Sequence, residues 1–117
     1  MSELKVIEQN PTTEAKPGAP LPERLIAGNP LFRTWLQDST HDGRIRTGVW
    51  EATPGEYRSI KGGTFEFCYI LQGVVELTED GQPPRRFKAG DSLVMKPDFK
   101  GNWKTIETVR KIYVSVD

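Results

Sequence analysis

The sequence predicts an all-β fold: an antiparallel double-sheet jelly-roll β-barrel preceded by an N-terminal arm. Eleven glycines and nine prolines punctuate the 117 residues. Between residues 43 and 101 they recur so closely that no ordinary helix fits. Two longer uninterrupted runs, residues 31–42 and 102–117, are rich in Thr, aromatic and β-branched residues, which favour strands. Short segments separated by turn signals at this spacing are the pattern of a sandwich or barrel.

A chain of this length is one domain, able to bury about two thirds of its unfolded surface. Sixteen basic and sixteen acidic residues leave no net charge, so nothing points to a nucleic acid or an anionic membrane as partner. No apolar run approaches the ~18 residues of a membrane span, and Met1-Ser-Glu-Leu-Lys5 carries no signal-peptide pattern. The single cysteine, Cys68, excludes an internal disulfide and suits a reducing compartment, so a cytoplasmic protein is expected.

Residues 1–30 read as an arm, extended or partly disordered, with prolines at 11, 17, 20 and 22 and few apolar side chains. Within it, Leu4 to Ile7 suggests a short edge strand, and Leu25-Ile26-Ala27 a helical turn ended by Gly28. The barrel occupies residues 31–117. Phe32 to Gln37 alternates like a strand, Asp38 to Gly43 is a polar turn, and Arg44 to Thr53 pairs back as a hairpin. Pro54-Gly55 turns the chain into Glu56 to Lys61, and Gly62-Gly63 turns it again. Asp80-Gly81 is a hairpin turn, followed by strands at Arg85 to Lys88 and Ser92 to Met95. Trp103 to Glu107 and Arg110 to Val116 complete about eight to ten strands, enough for a jelly roll.

The stretch Glu66-Phe-Cys-Tyr-Ile-Leu-Gln-Gly73, running on to Leu77, is the most informative. β-formers on both sides of one glycine read as two strands meeting at a tight bend or bulge. Period two puts Glu66, Cys68 and Ile70 on one face and Phe67, Tyr69 and Leu71 on the other. Both faces are mostly apolar, so the strand is expected between two layers of protein. Glu66 then points a carboxylate into apolar surroundings, where it must be partnered or functional.

Glu, six residues, then Gly is the second half of the first cupin motif, and the chain resembles the cupin superfamily there. More specifically it is similar to the small cupin family that includes the cupin domain of ureidoglycine aminohydrolase. The matching pieces are Gly48 to Gly55, Glu66 to Gly73, Phe87 to Asp91, Phe99 to Trp103 and Val109 to Tyr113, in register over roughly residues 44–117. The resemblance implies the barrel and a site inside it. It also implies a homodimer, since cupins often lay such arms across a partner.

Most cupins bind Fe, Mn, Ni or Zn through two His and one Glu of the first motif and a His of the second. Here the histidine-pair positions hold Ser59 and Lys61, or Ile60 and Gly62, and the second-motif position holds Trp103. The one histidine, His41, lies in a turn before the core strands. No cofactor is therefore expected; a divalent metal would have to bind without its usual His ligands. Ureidoglycine aminohydrolase itself is a metal-dependent hydrolase with a larger, two-cupin chain, and that activity does not follow here.

In the cupin register Glu66, Cys68, Trp103 and either Ser59 or Lys61 line the interior, with Tyr57 near its mouth. Glu66 and Lys61 are then a candidate acid–base pair, or a structural ion pair, or Lys61 is exposed at a loop edge. Tyr57, Ser59, Cys68 and Trp103 are candidate ligand contacts. Cys68 has no nearby histidine to make it a thiolate, and a buried inert thiol fits it better. Trp50 and Trp103 can stack a planar ligand or simply fill the barrel. Glu51, Arg58 and Arg110-Lys111 can clamp a small anion, but solvated strand charges explain them more simply. The expected function is binding of a small polar metabolite in the barrel without the usual metal. The alternatives are a metal-independent isomerase, epimerase or hydrolase with Glu66 as acid or base and, last, a metal-dependent aminohydrolase.

Overall fold

A computed structural model describes residues 2–117; residue 1, where the expected arm begins, lies outside them. In chain order the strands are β1 (Lys16–Gly18), β2 (Leu25–Gly28), β3 (Phe32–Thr40), β4 (Ile45–Ala52), β5 (Gly55–Ile60), β6 (Phe65–Glu79), β7 (Arg85–Lys88), β8 (Ser92–Met95) and β9 (Lys100–Val116). Among the described residues the one helical element is a 3-10 turn at Pro22–Arg24, and no helix is long and apolar enough to cross a membrane.

The fold is organised around the β6–β9 pair, which is antiparallel along nearly its whole length. The first half of β6 pairs with the second half of β9, where β4, β3 and β1 extend the sheet on one side and β8 on the other. The second half of β6 pairs with the first half of β9, where β5 and β2 continue on one side and β7 on the other. Both long strands therefore pass from one sheet to the other, which makes the expected antiparallel double-sheet jelly-roll barrel.

The crossing point is Gly73. The β6–β9 register slips between Ile70 and Val75, and Gly73 takes a φ of 87°. A Cβ there would stand 2.1 Å from the Thr108 carbonyl oxygen, so only glycine lets the strands approach this closely. The two strands expected on either side of Gly73 are thus one strand with a bulged bend. Trp103 to Glu107 and Arg110 to Val116 are likewise one strand, bent where it faces Gly73. The core between the sheets is built from Ala52, Cys68, Ile70, Val75, Leu77, Met95, Trp103 and Val109.

Some local expectations change. Leu25 to Gly28 is a strand paired to β5, not a helical turn; the turn lies just before it, where Pro22 starts a 3-10 helix. Leu4 to Ile7 forms no strand. The polar turn is tighter than expected, because β3 continues to Thr40 and only residues 41–44 turn. The outer face of the Glu66 strand is not covered by a second layer: Tyr69 is 38% exposed and Phe67 only partly buried. The arm packs along β3 and reaches Arg110 in the middle of β9. Gln37 exchanges two hydrogen bonds with the Glu8 backbone, and Trp35 Nε1 donates to the Thr13 carbonyl at 2.9 Å.

Candidate functional site

Glu66 stands near the start of β6, on the inner face it shares with Cys68 and Ile70, opposite Ser115 of β9 and Met95 of β8. Lys61 follows β5 in a tight turn. Its backbone N–H donates to Phe99 O and its carbonyl accepts from Thr64 N–H, which brings the side chain back over the barrel mouth. The Lys61 ammonium donates to Glu66 Oε1 at 2.5 Å, and the Lys111 ammonium, from β9, donates to Oε2 at 2.6 Å. The Cys68 thiol donates to the same Oε2 at 3.1 Å. The carboxylate is held on both oxygens by cations.

The burial of this cluster is graded. Side-chain exposure is 6% at Lys111, 8% at Glu66 and 18% at Lys61, so Lys61 is the solvent-facing member. Lys111 Nζ lies 4.3 Å from the Trp50 ring centre and 4.5 Å from that of Trp103, whose planes meet edge to face. Two indole faces and one carboxylate replace the water a buried ammonium loses. Burial works to raise the Glu66 carboxyl, but the charges and hydrogen bonds of Lys111 and Lys61 overcome it and hold it at about 2. Burial works to lower Lys111, yet its acidic neighbours Cys68, Glu66 and Tyr57 raise it above the usual lysine range. Burial pushes the Cys68 thiol up to about 12, with Glu66 adding to the shift and Lys111 opposing it. At neutral pH Glu66 is therefore a carboxylate, Lys111 an ammonium and Cys68 a neutral thiol.

A cavity of about 240 Å³ opens over the cluster, with Lys61, Glu66 and Lys111 on its floor and sides. Phe32, Trp50 and Tyr57 give it aromatic walls, while Thr34, Tyr113 and Ser115 give it hydroxyls. Gly48 faces Tyr113 across β4 and β9, and a Cβ there would crowd the Tyr113 hydroxyl at 3.0 Å. Of the residues expected at the site, Glu66, Lys61 and Tyr57 line this cavity. Cys68 is buried behind Glu66, and Trp103 behind Lys111, its Nε1 donating to Thr105 Oγ1 at 3.0 Å. Ser59 is buried farther along β5 and does not line the cavity.

Lys111 corrects the simpler expectation for it: it is an interior residue, not a solvated strand charge. The reason lies in β9, where Lys111, Tyr113 and Ser115 face inward and Ile112, Val114 and Val116 outward, the reverse of the usual alternation. The period-two grouping of Lys111 with Tyr113 and Ser115 was the available signal. Glu51 is also buried rather than solvated. It bonds Arg33 at 2.8 Å and Arg110 at 2.8 and 3.1 Å on the outer face, where Arg110 also donates to Gln9 O and Asn10 Oδ1 of the arm. Arg58 forms a surface ion pair with Asp80, as a solvated charge would.

A divalent metal does not fit this donor set. Among the described residues no three His, Cys, Asp or Glu side chains converge. Both oxygens of Glu66 face ammonium groups, which would repel a further cation. A larger groove of about 660 Å³, which Glu66 does not line, runs between β7 and β8 over Leu77, Phe87, Leu93, Met95 and Phe99.

In sequence, no curated protein matches the chain. The family model for the EutQ-like cupin domain matches residues 39–113, more than half of it. Among solved structures, the chain is similar to a protein of unknown function of the DUF861 family from Pseudomonas syringae pv. tomato. Identity is 22% and the TM-score 0.82, over 94% of this chain and 46% of that one. This chain thus spans about half the length of that protein. It is also similar to the EutQ protein of Clostridium difficile (16% identity, TM-score 0.66, 91% and 97% of the two chains). A third similar structure is an ectoine synthase from P. lautus (16%, 0.66, 73% and 63%). At these identities the likeness is one of fold.

Proposed function

The chain belongs to the EutQ-like cupin domain family, and we propose that it binds a small polar metabolite in the barrel interior, over Glu66, without a metal ion. The observation that carries this reading is the clamp itself: Lys61 and Lys111 supply, next to the motif glutamate, the positive charge a metal would otherwise bring. The aromatic walls and convergent hydroxyls above it are what a small-molecule site needs.

Binding is favoured over catalysis by the state of the candidate acid–base groups. A carboxylate held at about 2 is a weak base at neutral pH, and general acid–base catalysis works best with a pKa near the working pH. A thiol at about 12 supplies no nucleophile. The test is a thermal-shift screen of small polar metabolites, with product analysis and elemental analysis of protein purified without chelator. Stabilisation by a ligand that is recovered unchanged, from metal-poor protein, supports the reading. Near-stoichiometric Fe, Mn, Ni or Zn that Glu66→Ala loses would overturn it.

One observation favours the enzyme alternative. Lys61 is the exposed arm of the clamp, so a ligand that draws its ammonium away would let Glu66 rise toward a useful acid–base range. Turnover that vanishes in Glu66→Gln with the fold intact would establish that alternative. A metal-dependent hydrolase resembling ureidoglycine aminohydrolase has the least support, since its donor set is missing. The same reading takes the protein to be cytoplasmic, in keeping with its free, buried Cys68. It also takes it to be a homodimer, the arm carrying Leu4 and Val6 at 81% and 69% exposure as uncovered apolar contacts. Equilibrium sedimentation giving only the 13.2 kDa chain mass would refute the dimer.

A further inference from the structure

We propose that the ligand of this cavity is a small monocarboxylate, bound through the Lys61 ammonium and the Tyr113, Ser115 and Thr34 hydroxyls. The inference rests on the binding reading above and deepens it. The charged residues lining the cavity are Lys61, Lys111 and Glu66, two positive and one negative, so the lining carries one uncompensated positive charge. Two further ionic groups, Arg46 and Asp117, bond each other at 2.8 Å, and Asp117 also accepts from Thr64, so neither changes that count. Lys61, the solvent-facing arm of the clamp, presents that excess at the mouth beside the Thr34, Tyr113 and Ser115 hydroxyls, and a single negative charge cancels it.

The same count decides against other ligands. A cation would add a second unpaired charge, and a dianion would leave the site with an excess of negative charge. Each lysine has ammonium hydrogens beyond the one given to Glu66, and an ammonium has only donors to offer. A carboxylate accepts from those and from the three hydroxyls at once. Size points the same way. At a share of roughly 30 Å³ per water, about 240 Å³ holds about eight water-sized groups. That suits a short hydroxy- or oxo-acid whose body lies against the Trp50 and Phe32 rings.

The test is calorimetric titration and thermal shift at constant ionic strength. The probes are acetate, glycolate and lactate, with acetamide, glycolamide and lactamide as neutral twins, ethanolamine as cation and malonate as dianion. Each monocarboxylate is expected to bind about tenfold or more tightly than its amide, and Lys61→Met to erase that difference. Lys61 is the exposed partner, so its loss leaves the Glu66–Lys111 pair and the fold in place, as circular dichroism will record. Amides binding as well as acids, or ethanolamine or malonate binding best, would overturn the carboxylate assignment while leaving a polar-metabolite site. A carboxylate preference that survives in Lys61→Met would overturn the assigned contact. No stabilisation by these probes or by a panel of neutral sugars and polyols would overturn both this inference and the reading beneath it.

Discussion

Replacing Glu66 by Gln removes one charge and almost no volume, so its effect isolates the ion cluster. The wild-type carboxylate lies 2.5 Å and 2.6 Å from two ammonium groups, and its loss leaves Lys111 buried and charged with no carboxylate partner. Breaking a buried pair by removing one member costs about 3–5 kcal/mol. The Gln amide oxygen can still accept one hydrogen bond and Lys61 can turn to solvent, so the low end applies, ~3 kcal/mol. Linkage gives the same size: a carboxyl lowered from 4.5 to about 2 contributes ~3 kcal/mol at neutral pH. The sign follows from the depression. The stabilisation is fully present above the unfolded value of 4.5 and is lost as pH falls toward about 2. The assay is urea unfolding followed by circular dichroism at pH 7 and pH 3. At pH 7 the variant should be less stable by ~3 kcal/mol, a fall of very roughly 10 °C in Tm for a domain of this size. At pH 3 the gap should have shrunk by about half. Equal stability at pH 7, or a gap that does not change with pH, would refute the buried ionised clamp.

Three further outcomes follow from the same structure. Adding Lys111→Met to Glu66→Gln removes the orphaned buried charge, so the double variant should regain about 1–3 kcal/mol over the single one in urea unfolding; further loss would contradict the pairing. Cys68, buried with its thiol pushed up to about 12, should resist a disulfide reagent in native protein at pH 8 and react fully in denaturant. Equal rates in the two states would show that Cys68 is accessible. Gly73→Ala forces a Cβ to within 2.1 Å of Thr108 O at a φ of 87°, and should cost at least about 2 kcal/mol. A wild-type urea midpoint would mean that the β6 bend tolerates an ordinary residue.

The strand architecture was legible in the residues alone, because what encodes it is local. Turn residues punctuate the chain, period two groups the side chains, and Gly73 marks the bend whether or not anything else is known. The sequence also singled out Glu66, since a carboxylate at the head of the run Phe67 to Leu71 has to be accounted for, and it named Lys61, only five residues away. The arm was harder, because Leu25 to Gly28 becomes a strand only by pairing with β5. What surrounds Glu66 emerged with the folded barrel. Alternation separates Lys111, Tyr113 and Ser115 from Ile112, Val114 and Val116 but cannot say which set faces inward, and apolarity suggests the wrong one. The barrel closes with the polar set inside because Glu66 and the Trp50 and Trp103 rings are there to receive Lys111. Those partners lie 45, 61 and 8 residues away along the chain and meet only across paired strands and between sheets. A buried charge is stable by virtue of its neighbours in space, and that is the information the order of residues does not carry on its face.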